Sequence, residues 1–254
     1  MAPPSSPLRR GLSALSLLGL ALALAAGLAA LLAGPGHRMG WWGWRTGFQT
    51  VDWAGTIGMW AAFLSILGGL FALIAASWRR ALAAFLGVAI GFGVMGVPKA
   101  RRNLAQRHPP IHDITTDTER PPEFRAILPL RKGALNPPAY AGARVADLQK
   151  KGYPDLKPAV LSAPPDEVFR QAQAAARSLG WTVVAALPDE GRIEATDRTF
   201  WFGFTDDIVI RIRPEGDKTR LDIRSKSRVG GSDLGTNAKR VRAFLAALAD
   251  RMSP

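Results

Sequence analysis

Three long apolar runs fill the first hundred residues. The first, Gly11 to Ala33, is made of Leu, Ala, Gly and Ser and carries no charge. The second runs from Ala54 to Ser77, and the third from Ala81 to Val97, ending at Pro98. A helix needs about 20 apolar residues to cross the hydrocarbon of a bilayer, so the runs predict three transmembrane helices over 11–33, 54–77 and 81–97. Only Trp78, Arg79 and Arg80 separate the second from the third, which predicts a tight helical hairpin. The first run competes with a cleaved signal peptide, because Leu-Ala-Gly at 32–34 resembles a cleavage site. A signal peptide has an apolar core of about 7–15 residues. This run is longer and more runs follow it, so it is read as an uncleaved anchor. No charged residue lies inside any run, which argues against a proton relay or ion path through them.

The pattern then changes twice. Residues 99–157 are basic and Pro-rich, with Pro109, Pro110, Pro121, Pro122, Pro129, Pro137, Pro138 and Pro154 interrupting any helical or strand period. Such a stretch either wraps the next domain or acts as a semi-extended spacer. From residue 158 the periods return. Ala159–Leu161 looks like a short strand. Pro164-Pro165-Asp166-Glu167 is a helix start, followed by Val168, Phe169, Ala172, Ala175, Ala176 and Leu179 on one face, with Gly180 as the cap. Strands follow at 181–187 and 192–196 across an Asp189-Glu190-Gly191 turn. Strands at 207–213 and 220–226 are joined by Glu215-Gly216-Asp217-Lys218. In these last two, Ile208, Ile210, Ile212, Leu221 and Ile223 alternate with charged residues, the pattern of an antiparallel sheet covered on one side. A last helix from Thr236 or Asn237 presents Ala238, Val241, Phe244, Leu245 and Leu248. The predicted organisation is a membrane region (1–98), a linker or wrapping segment (99–157) and an α+β domain (158–254): a small antiparallel sheet with two packing helices.

Charge and composition refine this. The chain has 33 Lys+Arg, 20 Asp+Glu, a net charge of +13 and no Cys. Residues 1–100 carry +6, 101–157 carry +5, and 158–254 only +2. A basic nucleic-acid domain concentrates charge on one folded face; here it gathers around the membrane region, where Lys99 to Arg107 form a cluster suited to anionic headgroups. Nucleic acid is therefore not an expected partner, and the lipid bilayer is. Six of the eight Trp (Trp41, Trp42, Trp44, Trp53, Trp60, Trp78) border the apolar runs, as in an interfacial belt. Gly87 and Gly91 have the small-xxx-small spacing of helix contacts. With a cytoplasmic N-terminus, four Arg (9, 10, 79, 80) lie inside and six basic residues outside, so the positive-inside rule leaves orientation open.

Four features carry candidate chemistry. His108, His112 and Asp113, within HPPIHDITTDT, are weak metal candidates whose spacing matches no known ligand pattern. Arg211, Arg213, Arg224 and Lys226 share a sheet face with Asp207 and Asp222, either as a cross-strand charge ladder or as part of a site. RSKSRVGGSDLGTN (224–237) feeds a helix N-terminus, which favours anions. It yields the anion-binding candidates Arg211, Arg224, Arg228, Ser232, Asp233, Asn237 and Arg240, while local pairing of Arg228 and Arg240 with Asp206 or Asp233 and capping by Ser232, Asp233 and Asn237 is the alternative. Thr199 to Phe204 alternates Phe200, Phe202 and Phe204, which reads as core, with Trp201 opposite. No nucleophile elbow, phosphate loop or dinucleotide fingerprint is present, so no cofactor is expected.

Gly191-Arg-Ile-Glu-Ala-Thr196, Gly203-Phe204-x-Asp206-Asp207-x-Val209-x-Arg211, RSKSRVGGSDLGTN and Arg240 together resemble the domain of unknown function family 1499 (DUF1499) over about 158–248. HDITTDT followed by Pro-Pro-x-Phe looks like an extension found with that domain in bacterial relatives with several spans. Gly231 replaces a usually polar position. The resemblance implies no activity. It implies a bacterial inner-membrane setting with the C-terminal domain on the periplasmic side. The expected function is that of a non-enzymatic envelope protein whose α+β domain binds an anionic lipid, glycan or protein partner. The alternatives are a structural subunit of a membrane complex, contacting through Gly87, Gly91 and the Trp cluster, and a hydrolase using Asp206, Asp207 or Asp233 with His112.

Overall fold

The computed structural model describes residues 11–253 and divides into two compact units. The first runs through Asn103 and includes Trp201–Gly203; the second holds Leu104–Phe200 and the residues from Phe204 on. Arg9 and Arg10, which entered the topology count, lie outside the described residues.

In the first unit, three helices are long and apolar enough to cross a membrane: α1 (Leu15–Arg38), α2 (Trp44–Ile74) and α3 (Trp78–Arg107). All three outrun the apolar stretches that foretold them. At 1.5 Å per residue, α2 and α3 are roughly 45 Å long against about 30 Å of hydrocarbon, so the apolar runs mark only the stretch that needs lipid. The third run predicts a stop at Pro98, yet α3 continues through it to Arg107. The ring is accommodated by Gly55 of α2, where a Cβ would stand 2.6 Å from Pro98 Cγ. The polar extensions also hold Asp52, which accepts from Arg101 at 3.0 Å.

The bundle is inside-out by the standard of a soluble protein. Leu31, Trp53, Phe63, Leu73 and Phe85 are exposed, while Ala, Gly and Ser are buried. This is the pattern expected of helices in lipid, which supplies no hydrophobic drive between them and favours close backbone approach. Gly58 and Gly91 illustrate this: a Cβ on Gly58 would lie 2.8 Å from the Gly91 carbonyl oxygen. Gly87 and Gly91 thus face Ser65, Gly58 and Ala62 within the bundle. The aromatic stretch 199–204 is a loop, not a strand, with Gly203 at φ +68°. Of its Phe residues only Phe202 is buried, its ring 4.7 Å from that of Phe48, while Phe200 is exposed. Trp201 Nε1 donates to the Leu31 carbonyl at 3.3 Å.

The second unit is the α+β domain, with β1 (Asp113–Thr115), α4 (Ala143–Gly152), β2 (Ala159–Leu161), α5 (Pro165–Ser178), β3 (Thr182–Leu187), β4 (Arg192–Arg198), β5 (Thr205–Glu215), β6 (Lys218–Ser227) and α6 (Thr236–Met252). The sheet is antiparallel in the order β1-β6-β5-β4-β3, and β2 also pairs with β6. Gly191 turns the chain into β4 at φ +57°, and a Cβ there would collide with the Ile212 carbonyl oxygen. One sheet face packs Ile193, Ile208, Ile210, Ile212, Leu221 and Ile223 against Val168, Phe169 and Ala172 of α5 and Val241, Phe244 and Leu248 of α6. Trp181 stacks on Phe244 at 5.5 Å.

Two expectations change. Residues 99–157 are not free of regular structure: they supply the end of α3, all of β1 and all of α4. β1 is three residues long and pairs with β6 residues more than a hundred positions away, so no local period marks it. The sheet is also not covered on one side only. Asp207, Asp222, Arg224 and Lys226 on its charged face are as buried as the isoleucines behind them.

Candidate functional site

What covers the charged face is the segment from Thr116 to Gly142. Its apolar contribution is small: Phe124 and Ile127 pack on Val209. The rest is charge. Asp113, brought beside Lys226 by the β1–β6 register, accepts two bonds from Arg224 at 2.8 Å and one from Lys226 at 2.8 Å. Arg224 also donates to the Pro122 and Pro138 carbonyls at 3.1 and 2.9 Å, and Lys226 to that of Ala139 at 2.8 Å. The Arg224 guanidinium lies between the rings of Phe124 (4.9 Å) and Tyr140 (5.4 Å), a geometry that favours a cation. Burial pulls the Lys226 ammonium below its ordinary value, against the opposing pull of Asp113. Burial, with Asp113 nearby, pushes the Tyr140 phenol up to about 12.

Asp207, on the neighbouring strand β5, has the same role. It accepts from Arg228 at 2.8 Å and from Arg131. Arg228 reaches on to the Leu130 carbonyl at 2.7 Å, and Arg131 to that of Asn136 at 2.8 Å. Asp117 and Asp222 hold Arg211 at 3.0 and 2.8 Å. Bridges of this kind satisfy the desolvated charges through hydrogen bonds to both side chains and backbone.

The predicted anion-site residues therefore divide. Arg211, Arg224 and Arg228 lie on the charged sheet face. Ser232, Asp233, Asn237 and Arg240 lie at the start of α6, and they are bound there. Asp233 itself caps the helix, accepting from the Gly235 and Asn237 amides at 2.9 and 2.8 Å, so a carboxylate of the chain occupies the end that favours an anion. Ser232 Oγ accepts from the Leu234 amide at 3.3 Å. Asn237 takes bonds from Ser225 and Arg240 at 2.6 Å. Arg240 pairs with Asp197 and Asp206 at 2.8 Å. Burial raises both Asp206 and Asp233 above the usual carboxylate range. Asp206, Asp207 and Asp233 are thus each held by a different internal partner rather than gathered around His112. The metal candidates separate too: His108 Nδ1 lies 3.1 Å from Tyr153 Oη, Asp113 is held by Arg224 and Lys226, and the His112 ring faces a small cavity. Among the described residues no three His, Asp or Glu converge on a point that would hold a metal.

Of the predicted arginines, Arg211 lines a cavity. It opens on a cleft of about 580 Å³ that is lined also by Arg120, Arg125, Arg192, Pro121, Pro122 and Val209, and by Glu119, Glu123 and Glu190. Arg211 Nε is buried with no acceptor. Buried donors ordinarily have a partner, and this one belongs to a residue that lines the cleft. Arg125 and Arg192 are partly engaged by Glu190, at 3.5 and 2.7 Å. Below them Glu194 accepts the amides of Arg125, Ala126 and Ile127 at 2.9–3.1 Å, which fixes the backbone of the cleft wall.

Residues 113–248 match the sequence model of a family described as a protein of unknown function, DUF1499. The chain belongs to this family. The match begins at the first residue of β1 and includes the covering segment, so what resembled an extension of a domain at 158–248 lies within the DUF1499 region itself. This agrees with the structure, where β1 and its neighbours complete the sheet and close its charged face. No curated protein matches the chain. The sequence pattern did not single out Arg120, Arg125 or Arg192, although Arg192 stands inside the Gly191–Thr196 motif, because the cleft joins it to residues about 70 positions earlier in the chain.

Proposed function

We propose that this DUF1499 protein is a non-enzymatic binding protein of the bacterial cell envelope, anchored in the inner membrane by α1–α3 with its α+β domain on the periplasmic side. The domain takes an anionic ligand, carrying phosphate or carboxylate, in the cleft around Arg211. The observation that supports this is a cleft lined by four arginines, one of which, Arg211, has a buried Nε without an acceptor. Arg120 lines the same cleft with no ion pair to its guanidinium among the described residues. Arginine presents a planar fork of donors that suits carboxylate and phosphate alike.

Calorimetry on the detergent-solubilised full chain, with inorganic pyrophosphate and citrate as probes, tests the reading. Saturable binding that weakens at least tenfold in Arg120→Ala is the expected result, since a hydrogen bond to a charged group contributes about 1.5–3 kcal/mol. Arg120 is exposed, so its loss leaves the fold intact. Absence of binding, or binding indifferent to Arg120→Ala and Arg211→Gln, removes the cleft as the site. An alkaline phosphatase fusion at the C-terminus tests the orientation, and an inactive fusion overturns it.

A further inference from the structure

The HDITTDT segment is almost wholly absorbed by the fold. Asp113 holds Arg224 and Lys226, the Thr115 backbone exchanges two bonds with Gln149 at 3.0 and 2.6 Å, Thr116 Oγ1 accepts the Ile223 amide at 2.9 Å, and Asp117 pairs with Arg211. His112 is the exception. Its carbonyl is bound by Ser227 and Asn237 at 3.0 and 3.2 Å, but its ring Nδ1 is buried with no partner. That ring lines a separate cavity of about 250 Å³, bounded by Pro110, Ile111 and Asp113, whose carboxylate is taken up by Arg224 and Lys226, by Ala141, by Arg144, Val145 and Leu148 of α4, and by Gly231. The walls are largely apolar. Arg144 is exposed and makes no ion pair among the described residues. A buried polar atom left unmet is costly, and an apolar pocket with a few convergent polar groups is the usual form of a small-ligand site. The cavity has room on the order of eight water molecules, which limits a ligand to a similar number of non-hydrogen atoms.

We propose that this cavity binds a small monocarboxylate with an aliphatic body: the carboxylate bridges Arg144 and the His112 ring, and the chain lies against Ile111, Val145 and Leu148. A neutral imidazole with its proton on Nδ1 donates the inner bond, and the guanidinium supplies the charge. The cavity shares no lining residue with the arginine cleft, so the two sites stand or fall separately.

The chain contains three histidines, His37, His108 and His112, which makes histidine-selective NMR of the full chain in nanodiscs a direct probe, with the His112 signals assigned by their loss in His112→Gln. Titration with hexanoate is expected to shift the His112 ring signals saturably, with hexanol at least tenfold weaker. Arg144→Ala removes that tenfold preference. Gly231→Phe fills the cavity and abolishes the shift while the melting temperature holds, because a Cβ at Gly231 meets nothing within 4 Å and its φ is outside the left-handed region. His112 signals that do not move through millimolar hexanoate overturn the site, as does a shift that persists in Gly231→Phe. Equal binding of hexanol and hexanoate overturns the carboxylate assignment.

Discussion

Both faces of the domain's sheet are covered, and they are built from opposite chemistry. Behind it, isoleucines meet the apolar stripes of α5 and α6. In front, Asp113, Asp207 and Asp222 are surrounded by Arg224, Lys226, Arg131, Arg228 and Arg211 beneath a segment that contributes mainly carbonyl oxygens. The apolar face is held by burial and dispersion, which have no direction, so a truncation there costs transfer energy and a cavity but strands no polar partner. The charged face is exacting, because each group is stable only while its partners stay in place.

Removing one carboxylate should give the largest effect. Asp113→Asn leaves Arg224 and Lys226 buried beside a neutral group, for a loss of about 3–5 kcal/mol, read as a drop in the denaturation midpoint. The triple change Asp113→Leu, Arg224→Met, Lys226→Leu sharpens the contrast. It removes the stranded charge but takes the donors away from the Pro122, Pro138 and Ala139 carbonyls, so only partial recovery is expected. On the apolar face, Ile210→Ala should cost about 2–5 kcal/mol and should leave the covering segment as protected from proteolysis as before. Asp113→Asn should instead expose that segment to cleavage.

A smaller effect comes from pH. Burial, then the nearby Lys226, lowers the His112 pKa below its ordinary 6.5. The unfolded chain therefore binds a proton before the folded one does, and stability falls as pH drops from about 6.5 through the lower folded value. His112→Gln should remove that component of the slope in a melt series from pH 7 to 5. Asp206 and Asp233, raised by burial, act in the opposite sense, losing stability as pH rises, and the variant retains both. The smallest effect belongs to Arg242→Ala. Its pair with Asp155 at 2.6 Å is about half exposed on both sides, so it should change stability by less than about 1 kcal/mol.

The same contrast governs what could be read in advance. The isoleucine strands, the helix at Pro165–Ser178 and the last helix obey local periods, and the structure has them within a few residues of expectation. The charged face shows the same strict alternation, but alternation reports only that two faces differ. Charged residues are seldom fully buried, so Arg224 and Lys226 read as solvent-facing. Their cover comes from Pro122, Phe124, Pro138 and Ala139, which lie in a stretch with no period of its own. The three long apolar helices show a related blind spot. Apolar length located these helices, but not the polar turns beyond Pro98 or the pairing of Asp52 with Arg101. Arg211 was named from its place on a charged face and Arg192 stands in the Gly191–Thr196 motif, whereas Arg120 and Arg125 lie in a stretch with no period of its own.

The β1–β6 register has a consequence in time as well as in space. Asp113 pairs with Lys226, so during synthesis the first strand waits for more than a hundred further residues. At about 5–20 residues per second that wait is on the order of ten seconds. Throughout it, the edge strand and its charged cover are present in the nascent chain without the strand that will receive them. A cover made of Asp, Arg, Pro and exposed carbonyls stays soluble in that interval, whereas one made of isoleucine would invite strand-to-strand aggregation.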